Sequence, residues 1–217
     1  MAFQLNNEDL GYGGDAVLRG ISLTVSAGER VALVGESGAG KSTLLSVLQS
    51  RYDGNSALIP QDPGLVRNLS VFHNVYMGSL HRHSAAYNLL NLVWPRPAEV
   101  ERIRPILERL GLADKLFERA GQLSGGQQQR TAICRALLQG GDAVLGDEPV
   151  SATDNHQSRI ILDALTETFE TVILAMHDVD LALEYSTRII GIKDGGIALD
   201  AAAGGLKRAD LDFLYRD

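Results

Sequence analysis

The stretch Gly35-Glu36-Ser37-Gly38-Ala39-Gly40-Lys41-Ser42-Thr43 constrains this chain more than any other. It fits G-x-x-x-x-G-K-[ST], and it stands between an apolar run, Arg30–Val34, and a helical stretch, Ser42–Leu48. The run reads as a buried parallel strand. A strand, a glycine loop and a helix in that order form an anion cradle. Glycines let successive backbone N–H groups turn inward, and the helix N-terminus adds its own unpaired donors. Lys41 supplies a mobile charge for the outer phosphates and the Ser42 hydroxyl a ligand for Mg²⁺. The chain carries 20 basic and 27 acidic side chains, a formal charge of −7, so a bound polyanion is held by local geometry rather than by bulk attraction.

Around the loop the sequence alternates strand and helix. Ile21, Leu23 and Val25 alternate with polar residues, as in a strand with one buried face. Ala57-Leu58-Ile59, Ala143-Val144-Leu145, Thr171–Ala175 and Arg188–Ile192 read as further strands. Ile197-Ala198-Leu199 follows Asp194-Gly195, a hairpin signal. Helices are expected over Gly126–Leu138, Gln157–Thr168, Asp178–Tyr185 and Leu206–Tyr215. Between Asp62 and about Arg119 the pattern is helical instead, with Ser70 capping Val71–Met77 and an apolar face on Glu99–Leu110. The expectation is one α/β domain over residues 1–217. Its core is a P-loop NTPase core with a mainly parallel sheet, an N-terminal antiparallel β region and a helical subdomain inserted at approximately 62–135.

Two further motifs suit phosphate chemistry. Asp147 ends an apolar strand, where a carboxylate beside the cradle holds Mg²⁺ through water. Glu148, one residue on, can accept a proton from a water attacking the terminal phosphate. Leu123-Ser124-Gly125-Gly126-Gln127 opens a long helix and makes a second anion site, although the chain has one nucleotide cradle. Two such sites per chain are best used by two chains facing head to tail.

With these motifs the chain resembles the ATPase subunits of ATP-binding cassette (ABC) transporters, from about Phe3 to Asp200. The resemblance makes Gly35–Thr43 the phosphate loop, Ser124, Gly125, Gly126 and Gln127 the signature, Asp147 the magnesium aspartate and Glu148 the catalytic glutamate. It implies further roles. Gln61 is the Q-loop residue sensing Mg²⁺ and the permease, Asp154 belongs to a D-loop (Ser151-Ala152-Thr153-Asp154), His177 contacts the γ-phosphate, and Tyr12 stacks on adenine. ATP and Mg²⁺ follow as ligands. The implied partners are a second cassette, permease subunits and, indirectly, a solute-binding protein outside the membrane, with the chain peripheral at the cytoplasmic face. Gly146, Thr153 and Asn155 depart from the family's commoner residues.

Asn68–Leu80 and His177–Tyr185 are similar to the same regions of phosphonate-importer ATPases, which implies uptake of a phosphonate or related phosphorus oxyanion. A cassette for another solute, such as an amino acid, is the alternative. A soluble cassette of DNA repair or translation needs a coiled-coil insertion or a second cassette, and a small-molecule P-loop kinase lacks the signature. His81-Arg82-His83 reads as a solvated helix end and Cys134 as inert core. Met1–Asn7 shows no secretory pattern and no run of about 18 apolar residues is present, so neither a signal nor a span is expected.

Overall fold

The computed structural model describes residues 3–13, 15–151 and 153–215, and of Tyr12 only the backbone. In chain order the elements are β1 (Phe3–Tyr12), β2 (Asp15–Val25), β3 (Arg30–Val34), α1 (Lys41–Ser50), β4 (Ser56–Ile59), α2 (Val71–Tyr76), α3 (Ala85–Val93) and α4 (Pro97–Arg109). There follow α5 (Gly125–Gln139), β5 (Ala143–Asp147), α6 (Asn155–Thr168), β6 (Thr171–Ala175), α7 (Val179–Tyr185), β7 (Arg188–Lys193), β8 (Gly196–Ala202) and α8 (Arg208–Leu211). Short 3₁₀ turns intervene, among them Asp212–Tyr215. No described helix is long and apolar enough to cross a membrane.

The chain divides into two compact units, one of residues 3–58, 141–151 and 169–215 and the other of 59–140 and 153–168. The first holds the sheets. β1 and β2 pair antiparallel, with irregular register around Asn7. The main sheet runs β4-β5-β6-β3-β7-β8. The pairs β3–β6, β3–β7 and β5–β6 are parallel, while β7 and β8 form the antiparallel hairpin.

Burial explains why these strands are apolar throughout. Val31 and Leu33 of β3, Leu145 of β5, Ile173 of β6 and Ile190 of β7 share one core with Leu44, Leu45 and Leu48 of α1 and with inward residues of β1 and β2. The alternate residues Ala32, Val34, Val144, Val172 and Ile189 are buried too, so both sides of each strand are dry. Arg188 locks the antiparallel edge. Its guanidinium makes two 2.6 Å bonds to Asp200 and donates to the Thr24 carbonyl at 2.8 Å.

The second unit is helical. Phe72 and Val75 of α2, Ile103 and Leu107 of α4, and Ile133 and Cys134 of α5 are all buried. Asn74 is buried among them and satisfied: its amide nitrogen donates to the Val66 and Ser70 carbonyls, and its oxygen accepts from the Val66 N–H at 2.8 Å. The Ser70 hydroxyl accepts from the His73 N–H, giving the expected cap on α2.

Two local expectations need correction. Residues 206–215 do not form one amphipathic helix; α8 is a single turn followed by the 3₁₀ turn. The buried residues Leu211 and Leu214 are three apart, and 3₁₀ winding puts such a pair on one side. Nor is His83 solvated. Its ring stacks between those of Tyr76 and Tyr87, and Nε2 lies 3.2 Å from the buried Glu99 carboxylate. Glu99 also accepts from Arg102 at 2.8 Å and from the Tyr87 hydroxyl at 3.2 Å.

Candidate active site

Strand register decides which residues meet. Ala175 at the end of β6 pairs with Leu33 on one side and with Asp147 on the other. The ladder continues one step past each strand, with Met176 N–H donating to Leu33 O and Glu148 N–H to Ala175 O. The phosphate loop, Asp147, Glu148 and His177 therefore emerge together at the carboxyl edge of the parallel strands. Open α/β sheets bind their ligands at that edge.

The loop's glycines answer to specific neighbours. A Cβ on Gly35 would lie 2.3 Å from the Ile192 carbonyl oxygen, and φ there is +145°. Gly40, with φ +105°, caps α1 and rests on the fully buried Leu18 of β2; a Cβ there would lie 2.7 Å from a Leu18 methyl. A side chain at either position would push the loop off its support.

Lys41 opens α1 and is only 5 % exposed. Its ammonium donates to the Gly35 and Glu36 carbonyls at 2.8 Å each, which engages two of its three donors inside the loop. Burial lowers its pKa, and the nearby charges of Glu148 and Asp147 oppose that shift. Lys41 is thus a buried cation facing two carboxylates. Ser42 beside it is exposed and Asp147 is half-buried.

Glu148 has φ +53°, a left-handed backbone that a residue with a Cβ adopts at a cost of about 1–2 kcal/mol. Its neighbours impose this shape. The N–H is held by β6, and the carbonyl accepts from both the N–H and the hydroxyl of Ser151. The side chain is thereby directed to His177, whose Nε2 lies 2.5 Å from Glu148 Oε1. When ionised, a carboxylate only accepts, and the contact then takes its proton from Nε2–H.

A cavity of about 440 Å³ opens beside the loop. Its walls include Glu36–Ala39, Val17 of β2, the hairpin tip Asp194-Gly195 and Leu214. That volume is within the range of small-molecule sites. Val17, the hairpin tip and Leu214 were not foreseen as cavity residues. Asp194-Gly195 marks its own turn in the sequence, but nothing there says that the Gly195 carbonyl accepts from Arg19 N–H at 2.8 Å and so sits against β2.

Gln61, Ser124, Gly125, Gly126, Gln127 and Asp154 belong to the other unit. Ser124 and Gln127 form a reciprocal capping box on α5: the Ser124 N–H donates to the Gln127 side-chain oxygen at 2.9 Å, and the Gln127 N–H donates to the Ser124 hydroxyl. Ser124 and Gly125 are exposed, with Gly126 half-buried. The Asp154 carboxylate accepts from the Gln157 N–H at 2.9 Å, in the first turn of α6. Gln61 is exposed. The Tyr12 side chain and Ala152 lie outside the described residues.

Among the described residues no group of three His, Cys, Asp or Glu side chains could hold a metal. A hydroxyl and a carboxylate, Ser42 and Asp147, are the donors at the loop, which suits Mg²⁺. That ion keeps several waters and is bound by one or two carboxylates together with substrate phosphates.

A family profile described as "ABC transporter" matches residues 18–151, more than half of the chain. The chain belongs to the ABC transporter family. An ABC cassette of this kind is an ATPase that couples nucleotide hydrolysis to transport. Among similar proteins, Phosphonates import ATP-binding protein PhnC 1 of Pseudomonas savastanoi pv. phaseolicola is 39 % identical, over 99 % of this chain and 92 % of that protein. Phosphonates import ATP-binding protein PhnC 2 of Oceanobacillus iheyensis is 35 % identical, over 98 % and 94 % respectively. Among solved structures, a dimeric bacterial ABC transporter cassette superposes with a TM-score of 0.80 at 25 % identity, covering 94 % of this chain and 99 % of that one. A nucleotide-free cassette from an ABC transporter gives 0.76 at 22 % identity over the whole of both chains. The ABC fold of this cassette thus includes the mostly parallel sheet and the antiparallel β1–β2 pair.

Proposed function

We propose that this cassette drives uptake of a phosphonate or related phosphorus oxyanion, working as a head-to-tail pair on permease subunits at the cytoplasmic face of a membrane. The solute class rests on similarity to phosphonate importers over nearly the whole chain. The hydrolytic reading rests on one observation, the Glu148–His177 contact beside a buried lysine at the carboxyl edge of the sheet. A solute-binding protein outside the membrane completes the assembly.

In this reading adenine stacks on Tyr12, Gly35 opens the loop, and Glu36, Ser37, Gly38, Ala39 and Gly40 present backbone N–H groups to the phosphates. Lys41 exchanges its two loop carbonyls for phosphate oxygens, and Thr43 follows Ser42 into the first turn of α1. Ser42 and Asp147 would hold Mg²⁺, with Gln61 assigned by resemblance. The ion supplies charge neutralisation across the terminal phosphates. Glu148 accepts the proton of the attacking water, and His177 orients Glu148 through its Nε2–H. Ser124, Gly125, Gly126 and Gln127 of one cassette close over the γ-phosphate held by another, while Asp154 serves communication between the two. The helical region near 62–135 is the insertion that meets the permease.

The test is ATPase activity of the chain co-purified with its permease, with and without phosphonate-loaded binding protein. Stimulation by phosphonate supports the assignment. Stimulation by an amino acid instead would move the chain to another importer class. Lys41→Ala should lose nucleotide binding, and retention of normal turnover would remove the cradle from the mechanism.

A further inference from the structure

The turn Asp212–Tyr215 lies 180 residues from the phosphate loop at its Tyr215 end, yet it reaches that loop. Several contacts seat it independently of Tyr215. Leu214 is fully buried over β7, where a Cβ on Gly191 would meet its methyl at 2.7 Å. Lys193 Nζ donates to the Phe213 carbonyl at 2.9 Å. Just upstream Leu211 is buried, and Arg208 of α8 donates to Asp180 of α7. From this seat the Tyr215 hydroxyl accepts the Gly35 N–H at 3.3 Å.

Gly35 is the first residue of the loop, and both of its polar backbone groups are held. Tyr215 takes the amide and Lys41 takes the carbonyl. The two bonds differ in one respect. Lys41 has to leave the carbonyl when its ammonium turns to a phosphate, whereas nothing in nucleotide binding calls on the phenol. The Ile192 carbonyl blocks Gly35 on the β7 side. Leu214, next to the tyrosine, walls the cavity that the loop residues also line.

We infer that Tyr215 is a positioning residue of the nucleotide site: its hydroxyl keeps Gly35 in the phosphate-binding shape while Lys41 transfers from the Gly35 carbonyl to a nucleoside triphosphate. This rests on reading Gly35–Thr43 as the ATP cradle. A phenol is protonated at neutral pH and burial pushes its pKa up further, so the hydroxyl is a constant partner in the working range. Because Tyr215 touches the loop rather than the reacting atoms, its loss weakens nucleotide binding and leaves the chemical step alone.

The experiment uses the full chain with Tyr215→Phe, which retains the ring, alongside Tyr215→Ala and Lys41→Ala. Each is titrated with a fluorescent ATP analogue in Mg²⁺, and exchange of the Gly35 amide hydrogen is followed by NMR. Tyr215→Phe should bind the analogue about three- to tenfold more weakly, as expected for one lost hydrogen bond. It should also exchange the Gly35 proton faster, and raise KM for ATP with kcat unchanged in the permease-bound assembly. Wild-type affinity and exchange in Tyr215→Phe, together with lost binding in Lys41→Ala, would overturn the positioning role and leave the cradle standing. Undiminished binding in Lys41→Ala would overturn the cradle and the inference with it. Should Tyr215→Ala fail to fold, the phenylalanine variant decides alone.

Discussion

Glu148 carries its carboxylate on a backbone that its own Cβ disfavours, and three hydrogen bonds hold it there. Strain kept in place at a sheet edge beside a buried lysine is a sign of a side chain placed for chemistry. Glu148→Gln keeps size and backbone but cannot take a proton. Turnover should fall at least about a hundredfold, the usual weight of general base catalysis, while ATP still binds. Single-turnover hydrolysis beside nucleotide binding checks this, and near-normal turnover would displace Glu148 from its role. Cys134 shows the opposite situation. It is fully buried, its pKa is pushed far above that of a free thiol, and its sulfur leans on the Ile106 carbonyl at 3.9 Å. A thiolate is the reactive form, so iodoacetamide should leave the native chain unmodified and label it only in denaturant. Mass spectrometry after a timed exposure reads the difference, and rapid labelling of the folded chain would contradict the buried placement.

At the scale of elements, the turn Ser124-Gly125-Gly126-Gln127 caps a helix, and substitution can separate that from the nucleotide role proposed for it. The capping box stabilises α5, and Ser124 is exposed. Ser124→Ala should cost about 1 kcal/mol, a fall in Tm of roughly 3 °C for a chain of this size. Ser124→Gly should cost only a few tenths. If the hydroxyl also serves nucleotide, both variants lose ATP-driven assembly although one is almost as stable as the native chain; calorimetry and light scattering give the two readouts. Elements of this sort were legible because capping and phosphate chemistry demand particular residues at fixed spacing, as in Gly35–Thr43 and Ser70–His73. Others were hidden. β1 alternates only briefly before irregular register at Asn7 breaks its period. α3 inverts the usual pattern, exposing Leu89, Leu90 and Leu92 and burying Asn91, whose oxygen accepts from the Arg96 N–H at 2.8 Å. The helix does carry a helical hydropathy period, but its apolar side is exposed, so the period misplaces the buried face. Tyr215 was hidden for a third reason: a single hydrogen bond across 180 residues leaves no local trace.

At the scale of the whole molecule, each chain brings one loop, Gly35–Thr43, and one turn, Ser124–Gln127. If a working site takes the loop from one chain and the turn from another, inactivating either motif in a homodimer breaks both sites. Mixing the two defective chains should restore one. In a Glu148→Gln background, expected to slow hydrolysis and preserve closed pairs, Lys41→Ala and Ser124→Arg chains should each stay monomeric with MgATP. Together they should form a heterodimer holding one intact site, because the loop of the Ser124→Arg chain meets the turn of the Lys41→Ala chain. Ligand-driven closure of this kind follows from the closed state binding ATP more tightly than the open one, so one site should give weaker assembly than two. Sedimentation of the single and mixed chains at matched concentration distinguishes the cases. A mixture no more dimeric than its components would mean that the two motifs do not share a nucleotide, and would leave Ser124–Gln127 as the cap that starts α5.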